Sequence, residues 1–370
     1  MLNTHNYETE YLTALLRSAI RNEPVPMPNS DVDTERLFNL AKKQQVFNTI
    51  LPVLEQTGIL SDEEMNNWNN YRLSELKKTI VVDNERANIC AQLDEKGIKY
   101  MFLKGLEIRS YYPKSSMRQM SDNDILYDAS RRDELLTIMK KNGYYLGAAA
   151  GISDDFYKKP FATFEFHRTL FSPEDDFCPD FNPWINSSRV ENTGRYEISR
   201  EDNYIYTLCH LYKHYHCIDG CGVRFLCDLF LLTHSDDELN YDYINKTLKS
   251  FGVAEFNDTA LGLAETLFNG GECNDEQQAL FDFMIKGSVY GIAKNKVQDA
   301  LDDFGGSKIK YLLYRIFPPT EQMKGNYKIL DKIPCLLPLY YIIRLFEKSI
   351  HNNKLLKNEV NQLRSSKKDK

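Results

Sequence analysis

The sequence predicts an α+β protein in which a small mixed sheet is set between two helical regions. Residues 7 to 97 carry helical patterning throughout, residues 98 to 171 switch to short apolar runs punctuated by glycine, and helical patterning returns from 199. The leader contains "YLTALLRSAI", then "DVDTERLFNLAKKQQVFNTILPVLEQ", then a long segment from "SDEEMNNW" to "CAQLDEKG". This last helix opens on a serine cap with carboxylates in its first turn and stops at Gly97. "IKYMFLKG" (98–105) is a buried strand ending in glycine, "LEIRSYYP" a helix of about two turns stopped by Pro113, and "DNDILYD" a strand. "SRRDELLTIMKKNGY" is a helix ending at Asn142-Gly143, a further strand starts at Tyr144, and "PFATFEFHRTLF" (160–171) has β-rich character. The four expected regions are therefore 1–97 (helical), 98–198 (the sheet domain), 199–350 (helical) and 351–370, a polar, basic and fraying tail.

Charged residues are 27% and hydrophobic residues 42% of the chain, ordinary globular usage that excludes global disorder. The net charge of −7 argues against a non-specific nucleic-acid partner and favours small ligands. The N-terminus lacks the basic and apolar regions of a secretory signal, and "IPCLLPLYYIIRLF" is broken by prolines and an arginine. That stretch falls short of the ~20 apolar residues of a membrane span and reads as a packed helix. The eight cysteines form no small-scaffold framework, so reduced thiols and a cytoplasmic location are expected.

The chemistry concentrates in "QMSDNDILYD". Residues two apart on a strand share a face, which would set Asp122 and Asp124 side by side, about 7 Å apart along the backbone. Two carboxylates there repel unless a cation compensates, and Mg²⁺, with Mn²⁺ as the alternative, supplies that charge through hard oxygen ligands. Glu165 is the candidate third carboxylate, with Phe164 and Phe166 pointing to the opposite face and His167 sharing its own. Upstream, "FLKG" places Lys104 and Gly105 where a strand meets a helix, a junction suited to a phosphate. The competing reading is a D-x-D that serves local hydrogen bonding at a strand start.

The segment "FLKGLEIRSYYPKSSMRQMSDNDILYDASRRDELLTIMKKNGY" resembles the core of the nucleotidyltransferase superfamily that shares its fold with DNA polymerase beta. More narrowly it resembles the bacterial uncharacterised nucleotidyltransferase family, with a Leu-Lys-Gly turn, an Arg before D-x-D and a later E-x-H strand. The resemblance implies a nucleotidyltransferase catalytic core in which Asp122, Asp124 and Glu165 hold Mg²⁺. It also implies that Lys104, Gly105, Arg118 and Ser121 meet a nucleoside triphosphate, ATP among them. An acceptor hydroxyl of unknown identity (small molecule, sugar or protein) would attack the α-phosphorus and release pyrophosphate. At the turn Gly105 is followed by Leu106 where superfamily members carry a second Gly or a Ser. This departure keeps a catalytically silent nucleotide-binding or scaffold protein as the rival reading.

"CHLYKHYHCIDGCGVRFLC" packs three histidines and four cysteines into residues 209–227. Zinc is one reading, because His210 and His214 lie one helical turn apart, although no C-x₂-C knuckle is present. The resemblance implies instead that His210, His214, Arg224 and Asp228 line a substrate cleft together with His167. Arg224 and Asp228 are also spaced for an i, i+4 ion pair.

Overall fold

The computed structural model describes residues 2–287 apart from 30, 121, 148–151, 161, 173–180, 219 and 236–237, and also residues 336–338 and 340–341. The chain divides into two compact units, Met1–Val289 and Tyr290–Lys370. Eleven α-helices and seven strands are found among the described residues of the first unit, and residues 337–338 and 340–341 of the second are helical. The late "RIFPPTEQMKGNY" and the 351–370 tail lie outside the described residues.

The leader forms α1 (Tyr7–Arg21), α2 (Thr34–Lys43), α3 (Phe47–Thr57) and the 34-residue α4 (Asp62–Glu95). Ser61 and Glu64 close a reciprocal capping box on α4, and Gly97, at φ +64°, ends it. The "DVDTERLF…VLEQ" segment is two helices, not one, because Gln45 takes a left-handed φ of +54° between them. Gln119 Oε1 then accepts the Phe47 backbone N–H at 2.8 Å, serving as the cap that Val46 does not provide.

The sheet follows: β1 (Tyr100–Phe102), β2 (Asn123–Tyr127), β3 (Tyr145–Leu146), β4 (Ser153–Lys158), β5 (Ala162–His167), β6 (Ser188–Arg189) and β7 (Arg195–Glu197), with α5 (Gly105–Ile108) after β1 and α6 (Arg132–Lys141) after β2. Its order is β3-β4-β5-β2-β1-β7-β6. The pairs β2·β5 and β1·β7 are parallel and the other four antiparallel, which makes the sheet mixed as expected. Strands β4, β6 and β7 were not expected. β6 and β7 are only two and three residues long and lie at the edge of the sheet beyond β1, too short to produce a period.

One face of the sheet buries Tyr100, Ile125, Tyr127, Phe156, Phe164 and Phe166 against α4 and α6. Met101 and Leu126 on the other face join a larger core with α1, α3 and the returning helices α7 (Arg200–Lys213), α8 (Arg224–Thr233), α9 (Tyr241–Ser250), α10 (Ala254–Asn269) and α11 (Asp275–Lys286). Helix α4 contributes Trp68 to this second core and Ile89 and Leu93 to the first, and so ties the two together. Among the described residues no helix is long and apolar enough to cross a membrane.

Candidate functional site

The strand that carries the D-x-D is held from behind. Arg86 of α4 donates to Asn123 Oδ1 at 2.9 Å, and Asn123 Nδ2 donates to the Thr163 carbonyl of β5 at 3.1 Å. With Asn123 pinned to the α4 side, Asp124 emerges on the face that carries Leu126 and meets the larger core. The turn after β1 is tied to the same residue, since the Leu103 N–H donates to the Asp124 carbonyl at 3.1 Å. Lys104 then takes φ +48° and ψ −124°, a region costly for a residue with a side chain, and its carbonyl accepts the Ile108 N–H at 2.8 Å.

The parallel pairing of β2 with β5 sets Glu165 directly beside Asp124 and His167 beside Leu126. Asp124, Glu165 and His167 bring one ligand atom each within 4.8 Å of one another, a grouping able to hold a metal ion. His167 Nε2 is 3.1 Å from Asp124 Oδ1 and 3.5 Å from Glu165 Oε1. A ring nitrogen facing two carboxylates carries a proton, whereas Nδ1 is buried without a hydrogen-bond partner among the described residues. A ligating histidine normally donates its other N–H to an acceptor, so this pattern makes His167 a donor that orients Asp124. Lys104 Nζ donates to the same Oδ1 at 2.8 Å.

Burial opposes the charge of Asp124, but Lys104 and His167 outweigh it and hold the carboxyl below the usual range. Burial likewise works against the Lys104 ammonium, and Asp124, with Tyr206, Glu165 and Asp122 beyond it, more than restores it. Glu165 differs: burial and then the Asp124 charge push it upward, against the pull of His167 and Lys104. Two neighbouring carboxylates are thus driven apart, one firmly ionised and one more readily protonated, an arrangement suited to acid–base work.

Helix α7 supplies a wall. The Tyr206 ring lies 5.7 Å from Lys104 Nζ. Two turns on, His214 Nδ1 donates to the Gly220 carbonyl at 2.6 Å, so its Nε2 accepts from His210 Nε2 at 3.1 Å when both rings are neutral. Burial, Lys104 and His214 lower the His210 pKa well below its ordinary value, and burial lowers that of His214. Tyr206 was missed by sequence reasoning, although the 206-210-214 spacing of one helical turn was a signal for it. Asp155, which pairs across from Glu165 on the same face, was missed because β4 was not recognised.

Other expected residues are placed as follows. Arg118 Nε and Nη2 donate to the two oxygens of Asp228 at 2.8 and 2.7 Å, all deeply buried, and the Tyr112 hydroxyl donates to Asp228 Oδ1 at 2.8 Å. The guanidinium expected on phosphate is therefore engaged by α8. A Cβ on Gly105 would lie 2.0 Å from Arg118 Nη1, so in this structure the glycine makes room for that arginine. Arg224 does not pair with Asp228 as its spacing allowed: its guanidinium donates to Gln45 Oε1 and to the Gln119 carbonyl. Ser121 lies outside the described residues. Asp122 is half-buried and lines a cleft of about 330 Å³ with Lys42, Tyr71, Arg86 and Gln119. As for zinc, Cys209, Cys221 and Cys227 are buried free thiols, burial raising Cys221 to about 12, and no group of metal-ligand geometry forms there among the described residues.

The match to a family model puts the chain in a class, the transferases of the nucleotidyl-transfer type. The chain belongs to the family described as uncharacterised nucleotidyltransferase, whose model matches residues 30–269, from the leader helices through α10. Among solved structures it is similar to the solution structure of the antibiotic-resistance factor ANT(2'')-Ia, with a TM-score of 0.35 and 13% identity over 49% of this chain and 96% of that one. No curated protein matches the chain.

Proposed function

We propose that this protein moves a nucleoside monophosphate from a nucleoside triphosphate to an acceptor hydroxyl, with Mg²⁺ or Mn²⁺ held by Asp122, Asp124 and Glu165. The observation that carries this reading is the parallel register that sets Glu165 beside Asp124 on a face that also receives Lys104. The donor set fits the ion: Asp124 and Glu165 offer hard oxygens within 4.8 Å, Asp122 stands two residues before Asp124, just ahead of β2, and His167 orients one of the carboxylates. When bound, the ion supplies positive charge to the α-phosphate oxygens and lowers the pKa of an acceptor hydroxyl.

The chain's own residues do the rest. The acceptor oxygen forms a bond to the α-phosphorus, the bond to the bridging oxygen breaks, and pyrophosphate leaves. Glu165 either holds the ion or, free of it, takes the hydroxyl proton. Tyr206 and His210 close the site from α7. The cleft beside Asp122, walled by α2 and α4, is the place for the acceptor.

One observation favours a second reading, a scaffold protein that retains the fold without turning over a nucleotide: Arg118 fills the space against Gly105 that a phosphate would approach. Binding and product formation separate the two. Labelled nucleoside triphosphate should bind in the presence of Mg²⁺, binding should fall at least tenfold in Asp122→Ala/Asp124→Ala, and pyrophosphate should appear when an acceptor panel is added. Mg²⁺-dependent binding that the double substitution leaves unchanged would remove these carboxylates from the reading.

A further inference from the structure

Lys104 is bound to Asp124, one of the carboxylates that the reading above assigns to a metal ion, and the inference rests on that reading. Its ammonium lies 2.8 Å from Asp124 Oδ1 with only 16% of the side chain exposed. The same oxygen accepts from His167 Nε2 at 3.1 Å, so two donors already share it. An ion that takes Oδ1 as a ligand must displace one of them. His167 is a ring with two short-lever torsions, only 3% exposed and fixed on β5. Lys104 carries its charge on a four-carbon stem and can withdraw it by rotation.

The backbone around it indicates that this lysine is placed deliberately. Lys104 holds φ +48° without the freedom of glycine, while its neighbour Leu103 is bonded to Asp124 itself. Asp122, Asp124 and Glu165 all act on its charge, the three acids proposed for the ion. Without a cation those carboxylates would repel one another in a largely buried place.

We propose that Lys104 is a tethered counter-ion exchanged for the metal. In the free protein it balances the acidic group and keeps metal affinity low. When a nucleotide arrives, its phosphates offer the ammonium another partner, Lys104 leaves Asp124, and the ion takes the carboxylate. Metal and nucleotide therefore bind with positive coupling, each strengthening the other by the same factor.

The test is a Mn²⁺ titration of the full chain followed by electron paramagnetic resonance, without nucleotide and with a non-hydrolysable triphosphate analogue. Lys104→Met, which keeps the stem and removes the charge, should bind Mn²⁺ at least tenfold tighter than wild type in the absence of nucleotide. Lys104→Arg should show no such gain. The strengthening of Mn²⁺ binding by the analogue should be smaller in Lys104→Met than in wild type. Equal Mn²⁺ affinity in wild type and Lys104→Met overturns the exchange and leaves the metal reading standing. No Mn²⁺ binding by either protein, with or without the analogue, overturns the metal reading itself. Should Lys104→Met fold only when Mn²⁺ is present, read by circular dichroism, the ion has replaced the lysine, as the proposal requires. Should it not fold under either condition, Lys104→Gln takes its place in the titration with the same expected gain.

Discussion

Gly105 shows how one residue makes room for a buried ion pair beside it. A methyl group there would lie 2.0 Å from Arg118 Nη1 and 2.8 Å from Cζ. That guanidinium cannot move aside cheaply, because its Nε and Nη2 are bound to Asp228 in a buried pair and its Nη1 donates to Met120 Sδ at 3.3 Å. Gly105→Ala should therefore destabilise the protein by about 1–3 kcal/mol, the range for overpacking a filled interior. Urea unfolding measures it, and an unchanged midpoint would mean that Arg118 is not what requires glycine. The residue scale is also where sequence reasoning was least informed. An arginine three positions before Ser121 carries no mark of its partner, and Asp228 lies 110 residues further on. Phe164 and Phe166, in contrast, point away from Glu165 as a two-residue period demands, and both are fully buried.

At the scale of elements, α7 and its C-cap residue present Tyr206, His210 and His214 on one stripe, and the two imidazoles are held neutral by their surroundings. A histidine whose folded pKa is lowered takes up its proton more readily in the unfolded chain, so folding is favoured fully above the ordinary value near 6.5. Stability should then fall as pH drops below about 6.5, by about 1 kcal/mol per pH unit for each such histidine. Thermal unfolding between pH 7.5 and 5.5 tests this. His210→Gln/His214→Gln should flatten the slope over that window, and a slope as steep as that of wild type would assign it to other groups. The helical spacing of these residues was plain in the sequence. Which wall they form was not, since it depends on how α7 packs against a turn nearly a hundred residues earlier.

For the whole molecule, the larger core joins both ends of the first unit. Leu12, Leu15, Leu16, Phe47, Ile50 and Leu51 of the leader share it with Leu208, Leu226, Leu263 and Phe281, all without exposed surface. Fully burying each such side chain stabilises by about 1.5–3 kcal/mol, so removal of residues 1–60 withdraws more than the margin of an ordinary domain. A chain starting at Ser61 should not fold cooperatively, as judged by circular dichroism melting and limited proteolysis. A cooperative melt in the truncated chain would show that the sheet and the returning helices suffice alone. The truncation would also remove Lys42 and Gln45 from the cleft beside Asp122.

The sequence by itself determined the order of helical and strand regions, the face shared by Glu165 and His167, and the acidic character of the head of β2, because periodicity and charge are local properties of the chain. Membership of the nucleotidyltransferase family, too, is read from the sequence, over residues 30–269. Only the tertiary structure decided that β2 and β5 run parallel and in a register that pairs Asp124 with Glu165, that Lys104 and not Arg118 reaches the acids, and that Asp228 belongs to Arg118. Register and partner choice arise from packing between segments far apart in the chain, and no short stretch of residues contains that information.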